Sequence, residues 1–137
     1  LNDKSFFAAI ERADYPIASH SNSREICPAL RNLTDEQLKL IGEKNGLIGL
    51  CFYPKFLGGN AFEKIYENIC RLGNLGLENN IAIGSDFDGA DMSDELSDIS
   101  KVPDLYAYLE KRGISAETLK KIFYENAQNY FDKLNGI

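Results

Sequence analysis

The sequence predicts an α/β fold around a parallel sheet. Strand-length apolar runs alternate with helix-period segments along the chain. The run at residues 46–53, Gly-Leu-Ile-Gly-Leu-Cys-Phe-Tyr, is continuously apolar, as a strand buried on both faces requires. Two further apolar runs end on polar groups, one on His20 and one on Asp86. Chemistry in α/β folds gathers at such strand ends.

Each element has a local cause. Asn2 or Asp3 caps a first helix, with Phe6, Phe7, Ile10 and Ala13 at helical spacing. Residues 16–19 form the first strand, and residues 21–32 a loop. Thr34 and Gln37 make a capping box for a helix through Leu38, Leu40 and Ile41, which Asn45-Gly46 ends. After the strand at 46–53, residues 54–60 form a loop. Asn60 and Glu63 make a second capping box, for a helix carrying Phe62, Ile65, Ile69 and Leu72. Residues 80–86 form the third strand. Residues 89–103 are acidic and irregular, a long solvated loop. A short helix at 105–111 stops at Gly113, and Ser115 caps a last helix with Leu119, Ile122, Phe123, Ala127 and Phe131 on one face.

Repeated βα units favour right-handed crossovers and a parallel sheet. Three units are too few to close an eight-stranded barrel, which takes about 250 residues. The chain is therefore a small open α/β domain or part of a barrel. No linker divides it, so residues 1–137 read as a single domain.

Composition narrows the function classes. A net charge of −6 argues against nucleic acid and anionic membrane surfaces as partners. No apolar run approaches the ~18 residues of a membrane span, and no signal-peptide pattern opens the chain, which starts at Leu1. Cys27, Cys51 and Cys70 lack C-x-x-C spacing, so reduced thiols and a cytoplasmic setting are expected. No G-x-G-x-x-G or phosphate-binding loop is present.

His20 is the only histidine. A strand end would hold its imidazole rigidly for zinc, although a catalytic zinc usually takes three protein ligands. The alternative is a hydrogen-bonding histidine in the polar rim. Asp86 and Asp88 flank Phe87; if strand geometry continues, the two carboxylates share one face. Asp86 is the candidate general acid/base. Asp88 is assigned to an Asx-type turn before Gly89. Arg31 can bind a substrate carboxylate with two hydrogen bonds, or be a solvated loop arginine. Tyr53 can wall a pocket or close the top of the core.

The ordered set Ser19-His20-Ser21-Asn22, Cys27, Arg31-Asn32-Leu33-Thr34-Asp35-Glu36, Phe52-Tyr53-Pro54, Gly84-Ser85-Asp86-Phe87-Asp88-Gly89 and the stretch at 96–105 resembles the renal dipeptidase (membrane dipeptidase) family of zinc peptidases. The Asn126-containing last helix resembles it too. The resemblance implies the C-terminal part of a (β/α)₈ TIM-type metal-dependent hydrolase barrel, with about three parallel strands and flanking helices. It implies hydrolysis of dipeptides by a hydroxide bridging two zinc ions. His20 would be a zinc ligand, Arg31 would bind substrate, Asp86 would be the catalytic acid/base, and Tyr53 would line the pocket. The family's early His-x-Asp pair, bridging glutamate and further histidine are absent. In relatives that histidine lies just upstream of a segment like Leu1-Asn2-Asp3. The chain alone is thus expected to be inactive, to bind little or no zinc, and to self-associate through exposed barrel edges.

Two alternatives stay open: another metal-dependent amidohydrolase or lactonase on a similar barrel, or a non-catalytic α/β interaction module. An upstream His-x-Asp and glutamate, with a substrate panel, would separate the first from a dipeptidase; the reading frame upstream of Leu1 would separate an enzyme from the module.

Overall fold

A computed structural model describes residues 2–137; Leu1, part of the segment that the resemblance places after a histidine, lies outside the described residues. Helix α1 (Asp3–Ile10) is capped by Asn2, whose side chain accepts the Ser5 N–H, and it turns Phe6 and Ile10 inward. Strand β1 (Ile17–Ala18) is shorter than the expected 16–19. Pro16 still accepts from Leu47 N–H and Ser21 still donates to the Gly49 carbonyl, so the pairing extends past both ends without regular geometry. Helix α2 (Asp35–Glu43) carries the expected box: Thr34 Oγ1 accepts the Gln37 N–H, and Gln37 Oε1 accepts the Thr34 N–H.

Strand β2 (Leu47–Cys51) is buried at every position. Where a loop was expected, Pro54 starts a single helical turn, α3 (Pro54–Leu57). Proline presets the backbone for a first turn, and Gly58, at φ +82°, ends it in the left-handed region. Helix α4 (Ala61–Asn74) follows. Its expected box is half made: Asn60 Oδ1 accepts the Glu63 N–H, but the Glu63 carboxylate pairs with Arg112 and Tyr108 instead. Strand β3 (Ile81–Ser85) comes next.

The acidic stretch is more ordered than a solvated loop. It holds two short 3₁₀ turns, Asp94–Leu96 and Ile99–Lys101, and buries Leu96 completely. Glu95 accepts from Phe62 N–H and Asn60 Nδ2 at the positive end of α4. Helix α5 (Val102–Lys111) begins earlier than expected, with Pro103 in its first turn. Ser115 caps α6 (Ala116–Lys120), a π turn spans Lys121–Glu125, and α7 (Asn126–Asn135) completes the described chain. Among the described residues, no helix is long and apolar enough to cross a membrane.

The strands pair in the order β1-β2-β3, all parallel, with Ile17 opposite Leu47 and Ile48 opposite Ile81. Alternation then divides the side chains. Ile48, Leu50, Phe52 and Ile81 enter the main core, with Ile65 and Leu105 from the helices. Leu47 and Ala82, on the other face, meet Tyr130 of α7. The Tyr130 hydroxyl donates to the Tyr15 carbonyl, and Asn126 Nδ2 donates to the carbonyls of Glu78 and Ile81, fastening α7 to the entries of β1 and β3.

Helices α4 and α5 are clasped by Glu63, Tyr108 and Arg112, with the guanidinium 4.0 Å over the Tyr66 ring. The Arg112 hydrogen bond, then that of Tyr108, holds the Glu63 carboxyl below its usual 4.5. A depressed carboxyl contributes stability above its unfolded value and loses it as pH falls through the folded one. Glu63→Gln should therefore flatten the fall in stability below about pH 4.5. Urea midpoints measured across that range check this; parallel acid profiles for variant and parent would refute it.

Candidate active site

Because the strands are parallel, their C-terminal ends share one edge of the sheet. His20 lies two residues beyond β1, Tyr53 two beyond β2, and Asp86 directly after β3. The expected gathering of these groups at one edge is what the topology delivers.

β3 stops abruptly. Ser85 and Asp86 both have positive φ, +31° and +76°. Such backbone costs a non-glycine residue ~1–3 kcal/mol and persists where surrounding contacts enforce it. The extended geometry assumed through Asp88 therefore ends at Ser85, and the two aspartates share no strand face. Phe87 turns onto Phe52, edge to face at 5.5 Å between centroids. Gly89 N–H donates to the Asp86 carbonyl, closing the turn. A Cβ on Gly89 would lie 2.4 Å from Asp86 Oδ1, so this glycine makes room for the carboxylate. Asp88 is exposed and makes no side-chain hydrogen bond among the described residues; the turn closes through main chain, not through an Asp88 cap. Tyr53, Asp86, Asp88 and Asp91 line one cavity of about 440 Å³.

His20 is half-buried, and its Nδ1 lies 2.8 Å from Ser19 Oγ in a hydrogen bond. It shares a second cleft, of about 330 Å³, with Arg31. Arg31 Nη2 donates to the His20 carbonyl at 3.4 Å, and its guanidinium lies 5.1 Å from the Phe56 ring centroid. Phe56 in turn meets the Tyr53 ring edge-on at 4.9 Å. Cys51, the last residue of β2, is buried. Burial raises its thiol pKa; a hydrogen bond with the Tyr53 main chain offsets part of this, and the Asp86 and Arg31 charges add smaller effects of opposite sign.

Two buried asparagines carry functions that the residue pattern did not signal. Asn22 Oδ1 accepts the Cys51 N–H, and its Nδ2 donates to the carbonyls of Cys51 and Phe56. Asn32 Nδ2 donates to the carbonyls of Cys27 and Phe56. In sequence each reads as one polar residue in a polar loop; only their closeness to His20 and Arg31 marks them.

Comparison with known proteins decides the family. The sequence pattern of "Membrane dipeptidase (Peptidase family M19)" matches residues 1–135. The chain belongs to the M19 membrane dipeptidase family. It is 35% identical over 134 residues to an uncharacterized protein in the pqqA 5′ region of Klebsiella pneumoniae, covering 92% of this chain and 49% of that protein. It is 34% identical over 114 residues to an uncharacterized dipeptidase of Schizosaccharomyces pombe, covering 79% and 28%. A metallopeptidase of Rhodobacter sphaeroides, solved with a phosphinate mimic of the dipeptide L-Ala-D-Ala, superposes with a TM-score of 0.90 at 31% identity, covering 96% of this chain and 40% of that one. The chain thus spans less than half the length of each of these relatives. Its three parallel strands and flanking helices are the C-terminal part of the M19 barrel.

M19 enzymes are metallopeptidases. Among the described residues, no group of three His, Cys, Asp or Glu side chains is arranged to hold a metal ion. An imidazole at a strand end suits one ligand position, and among the described residues no further ligands are grouped with it. This M19 segment therefore does not fit a metal by itself.

Proposed function

We propose that this chain supplies the C-terminal βα units of a zinc-dependent dipeptidase, and with them its proton carrier and its carboxylate anchor. The observation that carries the reading is the Asp86 carboxylate, held in a strained turn beside Tyr53 at the C-terminal edge of a parallel sheet. In this reading Asp86 takes a proton at its carboxylate and returns it to the leaving nitrogen. Arg31, which has no carboxylate partner among the described residues, binds the dipeptide's terminal carboxylate through the open edge of its guanidinium. Tyr53 walls the pocket, and His20 supplies one metal ligand to a complete enzyme holding two zinc ions. The dipeptide mimic bound by the Rhodobacter relative supports the substrate class.

The incomplete ligand set supports a further part of the proposal: the chain alone is inactive. The outer edges of β1 and β3 pair with no strand among the described residues, and Ile17 on β1 is 49% exposed, which favours self-association. Calorimetry with zinc should show weak or no uptake, hydrolysis assays no turnover of a dipeptide panel, and sedimentation a species larger than one chain. A tight one-to-one zinc site that survives His20→Ala would overturn the ligand assignment. Turnover by a monomer would overturn the dependence on a complete barrel. A complete barrel that turns over no dipeptide would favour another amidohydrolase or lactonase, or the interaction module.

A further inference from the structure

We infer that Phe56 is a positioning residue that presents the Arg31 guanidinium for carboxylate binding, held in place by Asn22 and Asn32; this rests on the reading of Arg31 as the carboxylate anchor. Phe56 sits on α3, a single turn bounded by Pro54 and the left-handed Gly58. Carbonyls at the end of so short a helix lack helical partners. The Phe56 carbonyl accepts two side-chain amides instead, Asn22 Nδ2 at 3.2 Å and Asn32 Nδ2 at 2.8 Å. Both asparagines are fully buried, where an unpaired amide is costly. Asn22 also closes on both main-chain polar groups of Cys51. Asn32 adjoins Arg31 in sequence. One carbonyl is thereby tied to the end of β2 and to the loop that bears the arginine.

Those bonds fix the backbone from which the Phe56 ring projects. Its face lies under Arg31 and it meets Tyr53 edge-on, so one side chain sets both groups. The only polar contact of Arg31 among the described residues is the 3.4 Å bond to the His20 carbonyl. Without the ring, a long exposed side chain would lose rotamer freedom on binding a carboxylate, and affinity would fall accordingly. Stacking uses the guanidinium face and a carboxylate uses its edge, so the two contacts do not compete.

The test uses NMR of the Arg31 side chain in the 137-residue chain, assigned by Arg31→Lys, with N-acetylglycine as the carboxylate probe and N-acetylglycinamide as its uncharged control. The parent should show ring-shifted Arg31 protons and an Nε–H signal that moves with the acid and not with the amide. Phe56→Leu should abolish the ring shift and weaken N-acetylglycine binding by about 2- to 10-fold. Phe56→Tyr keeps a ring and should keep both. Affinity in Phe56→Leu within about twofold of the parent overturns the inference. If the parent ignores the acid, the anchor reading fails, and the ring shift alone decides the placement: loss in Phe56→Leu with retention in Phe56→Tyr supports it, and persistence in Phe56→Leu overturns it.

Discussion

Asp86→Asn, in a complete dipeptidase carrying this segment, is expected to lower kcat by ~10²–10⁴-fold with metal content unchanged. The substitution is chosen for its backbone as much as for its chemistry. Asp86 has φ +76°, and asparagine tolerates the left-handed region where alanine does not. The amide keeps the shape beside Gly89 and loses the capacity to accept and return a proton. Asp88→Asn should cost far less, since Asp88 is exposed and carries no side-chain hydrogen bond among the described residues. Steady-state hydrolysis of a dipeptide panel, with metal analysis of both variants, provides the comparison. Near-parental turnover in Asp86→Asn together with a dead Asp88→Asn would reverse the two roles.

What the residues disclosed beforehand, and what they concealed, follows from range. The Thr34-Gln37 box, the apolar run of β2 and the polar groups after each strand are local patterns, and each appears in place. Glu63 shows where local reading stops. Its spacing from Asn60 fits a capping box, but Tyr108 on α5 and Arg112 just after it offer a charge-assisted partner that sequence distance hides. Asn22 and Asn32 are hidden for the same reason: hydropathy assigns an asparagine to the surface, and only the fold reveals main-chain groups that need it inside. Phe56 falls within an expected loop, because a one-turn helix bounded by Pro54 and Gly58 has no period to detect. The early end of β3 was equally illegible, since the residues with positive φ are a serine and an aspartate rather than glycine.

Gly84→Ala is expected to destabilise the chain by about 3 kcal/mol or more, through space rather than backbone preference. A Cβ at position 84 would lie 2.1 Å from the Ser19 carbonyl oxygen and 2.9 Å from Gly49 C. A Cβ at position 49 would lie 2.3 Å from the same oxygen. Every obstructing atom is main chain, so no flexible side-chain tip can yield. The two glycines form a shallow groove on the sheet face opposite the main core, and the chain leaving β1 lies in it immediately before His20. An alanine there must either part β2 from β3 or push Ser19 and His20 outward. The second route couples packing to the candidate site, and it can be seen directly: with one histidine in the sequence, the ring signals of His20 are unambiguous by NMR. Gly76→Ala is the control. Gly76, unlike Gly84, has positive φ, and nothing lies within 4 Å of a Cβ there. It should lose only the ~1–2 kcal/mol of left-handed backbone strain and leave the His20 signals in place. Urea denaturation supplies the stabilities. Gly84→Ala within about 0.5 kcal/mol of the parent, with unmoved His20 signals, would mean that the Ser19 carbonyl does not occupy the groove and that the path of the chain into His20 is set by other contacts.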